Sequence, residues 1–169
     1  MKQLLLLIVT LSFILPLKAQ ELTNSATTTY YLIRHSEKDR SDKSNKNPNL
    51  NEAGTKRAEN WSQVFKNIAF DAVYSTRYNR TIETATPTAK SQNLEVQFYN
   101  PRNLYSEEFA QATHGKTVLV VGHSNTTPAF VNAILGEQKY TDMDDHDNGS
   151  LYIVTVSEGA IIDQVLKIN

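Results

Sequence analysis

The stretch "YYLIRHSEKD" (Tyr30–Asp39) decides the fold of this chain. The run Tyr30–Ile33 predicts a buried β-strand, and this strand ends in two adjacent polar residues, Arg34 and His35. Charged groups rarely end a core strand unless other groups hold them there. The function of this strand end therefore depends on what the rest of the chain brings next to it.

Strands and helices alternate along the chain until a final pair of strands. Further strands are predicted at Phe70–Ser75, Leu94–Tyr99 and Lys116–His123, and the segments "SLYIVTV" and "AIIDQVLKI" predict a C-terminal hairpin. Helices are predicted at Glu52–Asn67 with Asn51 as cap, at Arg77–Ala85 with Ser75 or Thr76 as cap, after Ser106, and from Thr127 to Gly136. Pro87 is expected to end or kink the second helix. This order predicts an α/β three-layer sandwich, with a mainly parallel central sheet, helices on both faces and the C-terminal hairpin.

The N-terminus has the pattern of a secretory signal peptide. Lys2 precedes the apolar run Leu4–Leu15, and Ala19 is a small residue suited to a cleavage site. We therefore expect a signal peptide at residues 1–19, a flexible lead-in at 20–28, and a single domain at 29–169 that is exported to the periplasm or secreted. An uncleaved N-terminal anchor is the alternative. The apolar run is too short for a comfortable membrane span, so no stable membrane insertion is expected after cleavage.

Composition excludes several other classes of function. The formal net charge is −1, which gives no indication of nucleic-acid binding. The sequence contains no cysteine, which rules out cysteine nucleophiles and thiolate metal sites. No pair of the four histidines has the spacing of a zinc protease motif, so no metal site is predicted.

Two histidines follow two of the predicted strands, His35 after the first and His123 after Thr117–Val121. Ligands bind outside the carboxyl ends of parallel strands, so neighbouring strands would place both histidines in one crevice. The segment "STRYNR" would add Arg77, Arg80 and a helix N-terminus at the same edge. Arginine matches phosphate oxygens and an imidazole can attack phosphorus, so this set indicates phosphoryl chemistry.

His146, in the acidic loop "DMDDHDNG", is expected to be solvated, with a place on the crevice wall as the alternative.

Four segments occur along the chain in the order "RHSEK", "LNEAGTKRA", "YSTRYNRTIETA" and "VLVVGHSN". Taken together and in this order, they resemble the histidine phosphatase superfamily, also called phosphoglycerate mutase-like, and the short chain resembles its small phosphohistidine-phosphatase-like members. The resemblance implies that His35 is the nucleophile that becomes phosphorylated, and that Arg34, Arg80 and His123 hold the phosphoryl oxygens. It also implies that neither a metal nor an organic cofactor is needed.

The resemblance leaves two assignments open. Arg77 is either an extra substrate contact or a solvated surface residue. The segment "YNPRNLYSEEF" has no clear match to the glutamate that protonates the leaving group in many members. Glu107 and Glu108 are candidates there, although both also suit the acidic first turn of a helix. Glu37, close to His35 in sequence, is a third candidate.

The resulting prediction is an exported, metal-independent phosphomonoesterase that acts through a phosphohistidine intermediate on a phosphorylated small molecule or peptide. One alternative is a protein phosphohistidine phosphatase, whose substrates would normally be cytoplasmic. The other is a non-catalytic phosphate-binding module. The joint presence of Arg34, His35, Arg80 and His123 argues against this second alternative.

Overall fold

One mixed β-sheet organises the computed structural model, which describes residues 26–168. The elements in chain order are β1 (Thr28–Arg34), α1 (Glu52–Val64), β2 (Ala72–Ser75), α2 (Asn79–Ser91), β3 (Val96–Phe98), α3 (Glu107–Thr113), β4 (Thr117–Gly122), α4 (Thr126–Leu135), β5 (Ser150–Ser157) and β6 (Ala160–Lys167). The strand order is β3-β2-β4-β1-β5-β6. The first four strands in that order are parallel, β5 runs antiparallel to β1, and β5 and β6 form the predicted hairpin.

Helices cover the sheet on both faces. Successive residues of a strand point to opposite faces, so Ile33 packs with Trp61 of α1 and Ala85 of α2, while Leu32 packs with Phe130 of α4 on the other side. The predicted three-layer α/β fold is therefore confirmed. Within residues 26–168, each helix is too short or too polar to cross a lipid bilayer. The predicted signal peptide and most of the predicted lead-in lie outside the described residues.

Three of the predicted helix ends form as expected. The Oδ1 atom of Asn51 accepts a hydrogen bond from the Gly54 amide at 2.8 Å and caps α1. Ser106 caps α3 through a hydrogen bond from the Phe109 amide at 3.1 Å. Gly136 follows α4 in the left-handed conformation, with φ of 72°, which glycine adopts without steric cost.

The prediction for α2 is wrong in two respects. The helix begins at Asn79 rather than Arg77 and is capped by neither Ser75 nor Thr76, and it continues through Pro87 to Ser91. An internal proline costs roughly 3 kcal/mol because it removes a backbone hydrogen bond. Here the turn after Pro87 carries Ala89, which is buried in the hydrophobic cluster that contains Trp61 and Phe65. Burial of this turn in the core offsets the local cost, which sequence propensity alone does not show.

Candidate active site

The two histidines meet because β1 and β4 are neighbouring parallel strands. Arg34 lies in register with Gly122, so the next residue of each strand, His35 and His123, leaves the sheet at the same edge. The His35 amide donates to the Gly122 carbonyl at 2.9 Å, and the two imidazole centroids lie 5.5 Å apart. The edge is close-packed, since a Cβ on Gly122 would lie only 2.7 Å from the Thr127 hydroxyl. Glycine at this position therefore lets the two strand ends meet helix α4.

The imidazole of His35 is buried and oriented by the backbone around it. Its Nδ1 atom donates to the Ser36 carbonyl at 2.7 Å, which places the proton on Nδ1 and leaves the lone pair on Nε2. Asn148 donates from its side chain to the His35 carbonyl at 2.8 Å and holds the main chain. Burial lowers the pKa of His35 to about 3, and Arg80 adds to this effect, while the hydrogen bond to Ser36 opposes it. His35 is therefore neutral near pH 7, as a nucleophile must be.

His123 is held between a hydroxyl and a guanidinium. Arg80 donates from Nη2 to Nδ1 of His123 at 3.3 Å, so the proton of the neutral ring is on Nε2, which donates to the Thr76 hydroxyl at 2.9 Å. Burial lowers the pKa of His123 to about 4, and Arg80 and Arg34 add to the effect. The ring of Tyr78 packs edge-on against His123, with centroids 5.2 Å apart, and its face receives the Arg80 guanidinium at 4.5 Å.

The arginines retain buried nitrogens that no group in residues 26–168 satisfies. These are Nε and Nη1 of Arg80 and Nε of Arg34. A buried donor without a partner is costly, and a native structure that keeps one usually has a ligand, ion or water for it. Beside two neutral imidazoles, these three nitrogens form a site for an anion with several oxygens. A phosphoryl group has that chemistry.

The other nitrogens of Arg34 are occupied by the loop between α4 and β5. Nη1 donates to the carbonyls of Asp144, Asp145 and Asp147 at 2.8, 3.0 and 3.1 Å. Nη2 pairs with the Asp145 carboxylate at 2.9 Å, and Arg40 pairs with the same carboxylate at 2.8 Å. Hydrogen bonds from Arg40 and Arg34 lower the pKa of Asp145, so this carboxylate is ionised. The acidic loop thereby neutralises part of the positive charge at the site.

The segment after His35 is fixed against the start of α1. The Asn51 amide donates to the Glu37 carbonyl at 2.9 Å, and the Asp39 amide donates to the Asn49 carbonyl at 2.8 Å. A Cβ on Gly54 would lie 2.1 Å from the Glu37 carbonyl oxygen, so only glycine allows this approach. The glycine of the "LNEAG" segment thus positions Glu37 and Lys38 beside the histidines.

Two adjoining cavities of about 340 Å³ each open at this edge. Both are lined by Arg34, His35, Lys38 and Asp145. One adds Arg80 and His123 and extends over the start of α4, and the other extends toward Arg40, Asn51 and His146. His146 is exposed and lies on the wall of the second cavity. Among residues 26–168, no cluster of three or more histidine or carboxylate side chains is arranged to bind a metal ion.

The sequence candidates outside the central four residues lie in different places. Glu107 and Glu108 are exposed on α3 and line other cavities, Glu107 beside Thr28 at the start of β1. Their helix packs Phe109 against the aromatic core beneath the sheet, so its first turn does not reach the two histidines. Glu37 lines a histidine cavity, but both of its carboxylate oxygens contact Nε of Arg57, at 2.8 and 3.0 Å.

Arg77 also lies outside the two histidine cavities. It is exposed, and its guanidinium stacks on the ring of Phe98 at 4.2 Å. A separate cavity lined by Arg77, Tyr78 and Pro101 adjoins the site through the latter two residues. Arg77 therefore contacts Phe98 rather than the groups around the two histidines.

Four further residues line the site that were not predicted from the sequence. They are Lys38, Arg40, Asp145 and Asn148. Lys38 lies in the stretch Tyr30–Asp39, and Arg40 follows it directly. Basic residues that follow closely after His35 in the same loop could have been predicted to lie beside it. Asp145 and Asn148 come from a loop more than a hundred residues away, and only the pairing of β5 with β1 brings that loop to the site.

Comparison with known proteins agrees with this geometry. The sequence model of the histidine phosphatase superfamily, branch 1, matches residues 30–100. That segment includes His35, Arg34 and Arg80, so the resemblance predicted from the sequence is confirmed. Among curated proteins, none matches the sequence.

Solved structures of phosphatases and mutases share the fold. The candidate phosphohistidine phosphatase SixA from Agrobacterium tumefaciens is 21% identical, with a TM-score of 0.60 and coverage of 82% of this chain and 97% of its own. A phosphoserine phosphatase from Entamoeba histolytica is 16% identical (TM-score 0.60, coverage 84% and 98%), and a phosphoglycerate mutase from Bacillus anthracis is 17% identical (TM-score 0.62, coverage 84% and 93%). At these identities the similarity establishes the fold.

Proposed function

We propose that this protein hydrolyses phosphate monoesters through a phosphohistidine formed on Nε2 of His35. The observation that carries the proposal is the hydrogen bond from Nδ1 of His35 to the Ser36 carbonyl, because it leaves the lone pair on Nε2, in a cavity that Arg34 and Arg80 also line. The match of residues 30–100 to the histidine phosphatase superfamily supports the same reaction.

In the first step, Nε2 of His35 attacks the phosphorus atom of the ester. The N–P bond forms as the P–O bond to the leaving group breaks, and that oxygen leaves as the alcohol once it gains a proton. In the second step, water attacks the same phosphorus, the N–P bond breaks, and the electron pair returns to Nε2 of His35. Inorganic phosphate leaves and the enzyme is restored.

The surrounding residues stabilise charge rather than form bonds. The unsatisfied nitrogens of Arg80 and Arg34 are positioned to donate to the phosphoryl oxygens, whose charge is spread over three atoms in the transition state. A bound dianion also favours the protonated form of His123, which would then donate from both ring nitrogens. The ion pair between Arg34 and Asp145 limits repulsion among the cations while the site is empty.

A trapping experiment tests this function. The purified protein is incubated with a labelled aryl phosphate, quenched during turnover and digested, and the label should appear on the peptide containing His35 as acid-labile, alkali-stable phosphate. His35→Ala should abolish both label and turnover, while the matched variant His114→Ala, at an exposed histidine, should retain both. Phosphate binding without turnover in the wild type would instead indicate a binding module.

The substrate and the cellular location form the finer part of the proposal. An exported enzyme acting on a small phosphate ester agrees with the apolar run Leu4–Leu15. A protein phosphohistidine phosphatase is the second candidate. It is favoured because each carboxylate that residues 26–168 place on the cavity walls is paired with an arginine, and a phosphohistidine needs an acid less, since imidazole is a good leaving group. Intact mass of protein from its native compartment, together with a panel of alkyl, aryl and phosphohistidine substrates, separates the two.

A further inference from the structure

Phosphate ester hydrolysis needs a proton at the leaving oxygen, and the carboxylates at this site are poorly placed to give one. Within the described part of the chain, Glu37 and Asp145 are the only carboxylates that line the two histidine cavities. Asp145 is held ionised between Arg34 and Arg40 and therefore carries no proton to donate. Glu37 is engaged by Arg57 through both carboxylate oxygens.

Lys38 is the remaining charged donor on the shared wall. It lines both cavities together with His35, and its side chain is half-buried. No carboxylate among residues 26–168 forms a salt bridge with its ammonium group, although six such pairs occur elsewhere in that range. Its backbone is fixed by a bridge to Leu50, so the side chain extends from a rigid base.

The charges that face Lys38 favour release of its proton. Burial lowers its pKa, Arg80, Arg40 and Arg34 lower it further, and Asp145 opposes them. Three of these groups are arginines, whose own protons do not leave at any ordinary pH. Among the lysine and arginine cations of this cluster, the lysine is the one that can act as an acid, because an ammonium gives up its proton far more easily than a guanidinium does.

We propose that Lys38 is the general acid of the reaction, an inference that rests on the proposed function. As the P–O bond breaks, the electron pair on the leaving oxygen takes a proton from Nζ of Lys38, which gives the alcohol and a neutral amine. In the second step, the amine takes a proton from the attacking water as the N–P bond breaks. Lys38 is thereby restored to the ammonium form, and protons balance over the cycle.

The test compares leaving groups in variants that separate charge from acidity. Lys38→Arg keeps a cation that cannot donate its proton, Lys38→Met removes both properties, and Lys43→Met is the control at an exposed lysine of the same loop. The value of kcat/KM is measured for phosphate esters from nitrophenyl to simple alkyl, because it reports the step that phosphorylates His35. Orthovanadate affinity and thermal unfolding are measured on each protein to establish binding and folding.

We expect Lys38→Arg to lose about 10²–10⁴-fold on alkyl phosphates, the range typical of a lost general acid, and far less on nitrophenyl phosphate. Its vanadate affinity should stay near that of the wild type. Lys43→Met should match the wild type throughout. Equal losses on alkyl and aryl esters, or full alkyl activity in Lys38→Arg, would overturn the assignment and leave Lys38 with a purely electrostatic role.

Two further outcomes are distinguishable. Tyr78 is a neutral donor on the wall of the cavity that holds His123, so Tyr78→Phe is measured in parallel. If Tyr78→Phe loses activity selectively on alkyl phosphates while Lys38→Arg behaves like the wild type, the general acid is Tyr78 and not Lys38. If the wild type hydrolyses no ester and forms no phosphohistidine, the proposed function itself fails, which differs from a wild type that is active and a lysine that is dispensable.

Discussion

Burial of a neutral His35 makes the stability of this protein depend on pH in a calculable way. The pKa of this histidine is about 3 in the folded protein against an ordinary value of 6.5. The unfolded chain therefore binds one more proton than the folded chain between these two values. The contribution of His35 to the free energy of unfolding has its full value above pH 6.5, falls as the pH drops toward 3, and is lost below pH 3.

The magnitude follows from the two pKa values. The full difference corresponds to roughly 5 kcal/mol, at about 1.4 kcal/mol for each pH unit. Acidification from pH 6.5 to 4.5 removes about 2 kcal/mol, because at the upper limit the unfolded histidine is already half protonated. His123 contributes with the same sign, since its pKa is also lowered, to about 4.

The measurement is urea unfolding at several fixed pH values between 6.5 and 4.5 for the wild type and His35→Asn. Asparagine cannot take up a proton, so the variant should lose about 2 kcal/mol less than the wild type over that interval. His114→Asn is the control, because this side chain is exposed, and its curve should run parallel to that of the wild type. Parallel curves for His35→Asn and the wild type would refute the claim that His35 is buried in the neutral form.

Three further outcomes follow from the site. Arg80→Ala should lower kcat/KM about 10²–10³-fold, as loss of a preorganised donor does, whereas Arg77→Ala, on the exposed stack with Phe98, should change it far less; equal losses would place both arginines at the phosphoryl group. Gly54→Ala should lower the free energy of unfolding by roughly 1–3 kcal/mol in urea melts, because its Cβ would overlap the Glu37 carbonyl, and an unchanged or raised value would contradict the close approach. Activity should survive exhaustive dialysis against a chelator, and a loss restored by added zinc or magnesium would contradict the mechanism.

The fold could be predicted from sequence because its information is local and periodic. Val118–Val121 is apolar without interruption, as expected for a strand covered on both faces, and Leu32 and Ile33 give the same pattern on β1. Once both strands are assigned to one parallel sheet, the rule that sites lie at carboxyl ends brings His35 and His123 together. No side-chain detail is needed for that step.

Helix α2 shows where local reasoning fails. The sequence predicts that Pro87 ends or kinks this helix, because proline removes a hydrogen bond within a single turn. The structure continues the helix to Ser91, and Ala89 is buried in the core beside Trp61 and Phe65, a gain that depends on where α1 lies. Burial partners separated by more than twenty residues are not visible in a window of one helix.

The proposed donor, Lys38, could not be identified from the sequence for a related reason. The sequence indicated carboxylates, Glu37 and the pair after the third strand, but β3 has only three residues and the chain then packs Phe109 against the aromatic core. Glu107 and Glu108 consequently line other cavities, so their position in the sequence after β3 does not place a carboxylate beside the two histidines. Lys38 reaches the cavity because Gly54 admits the Glu37 carbonyl and the bridge to Leu50 fixes the following residue. A donor whose position depends on a glycine sixteen residues later can be identified only after the loop and the helix are seen together.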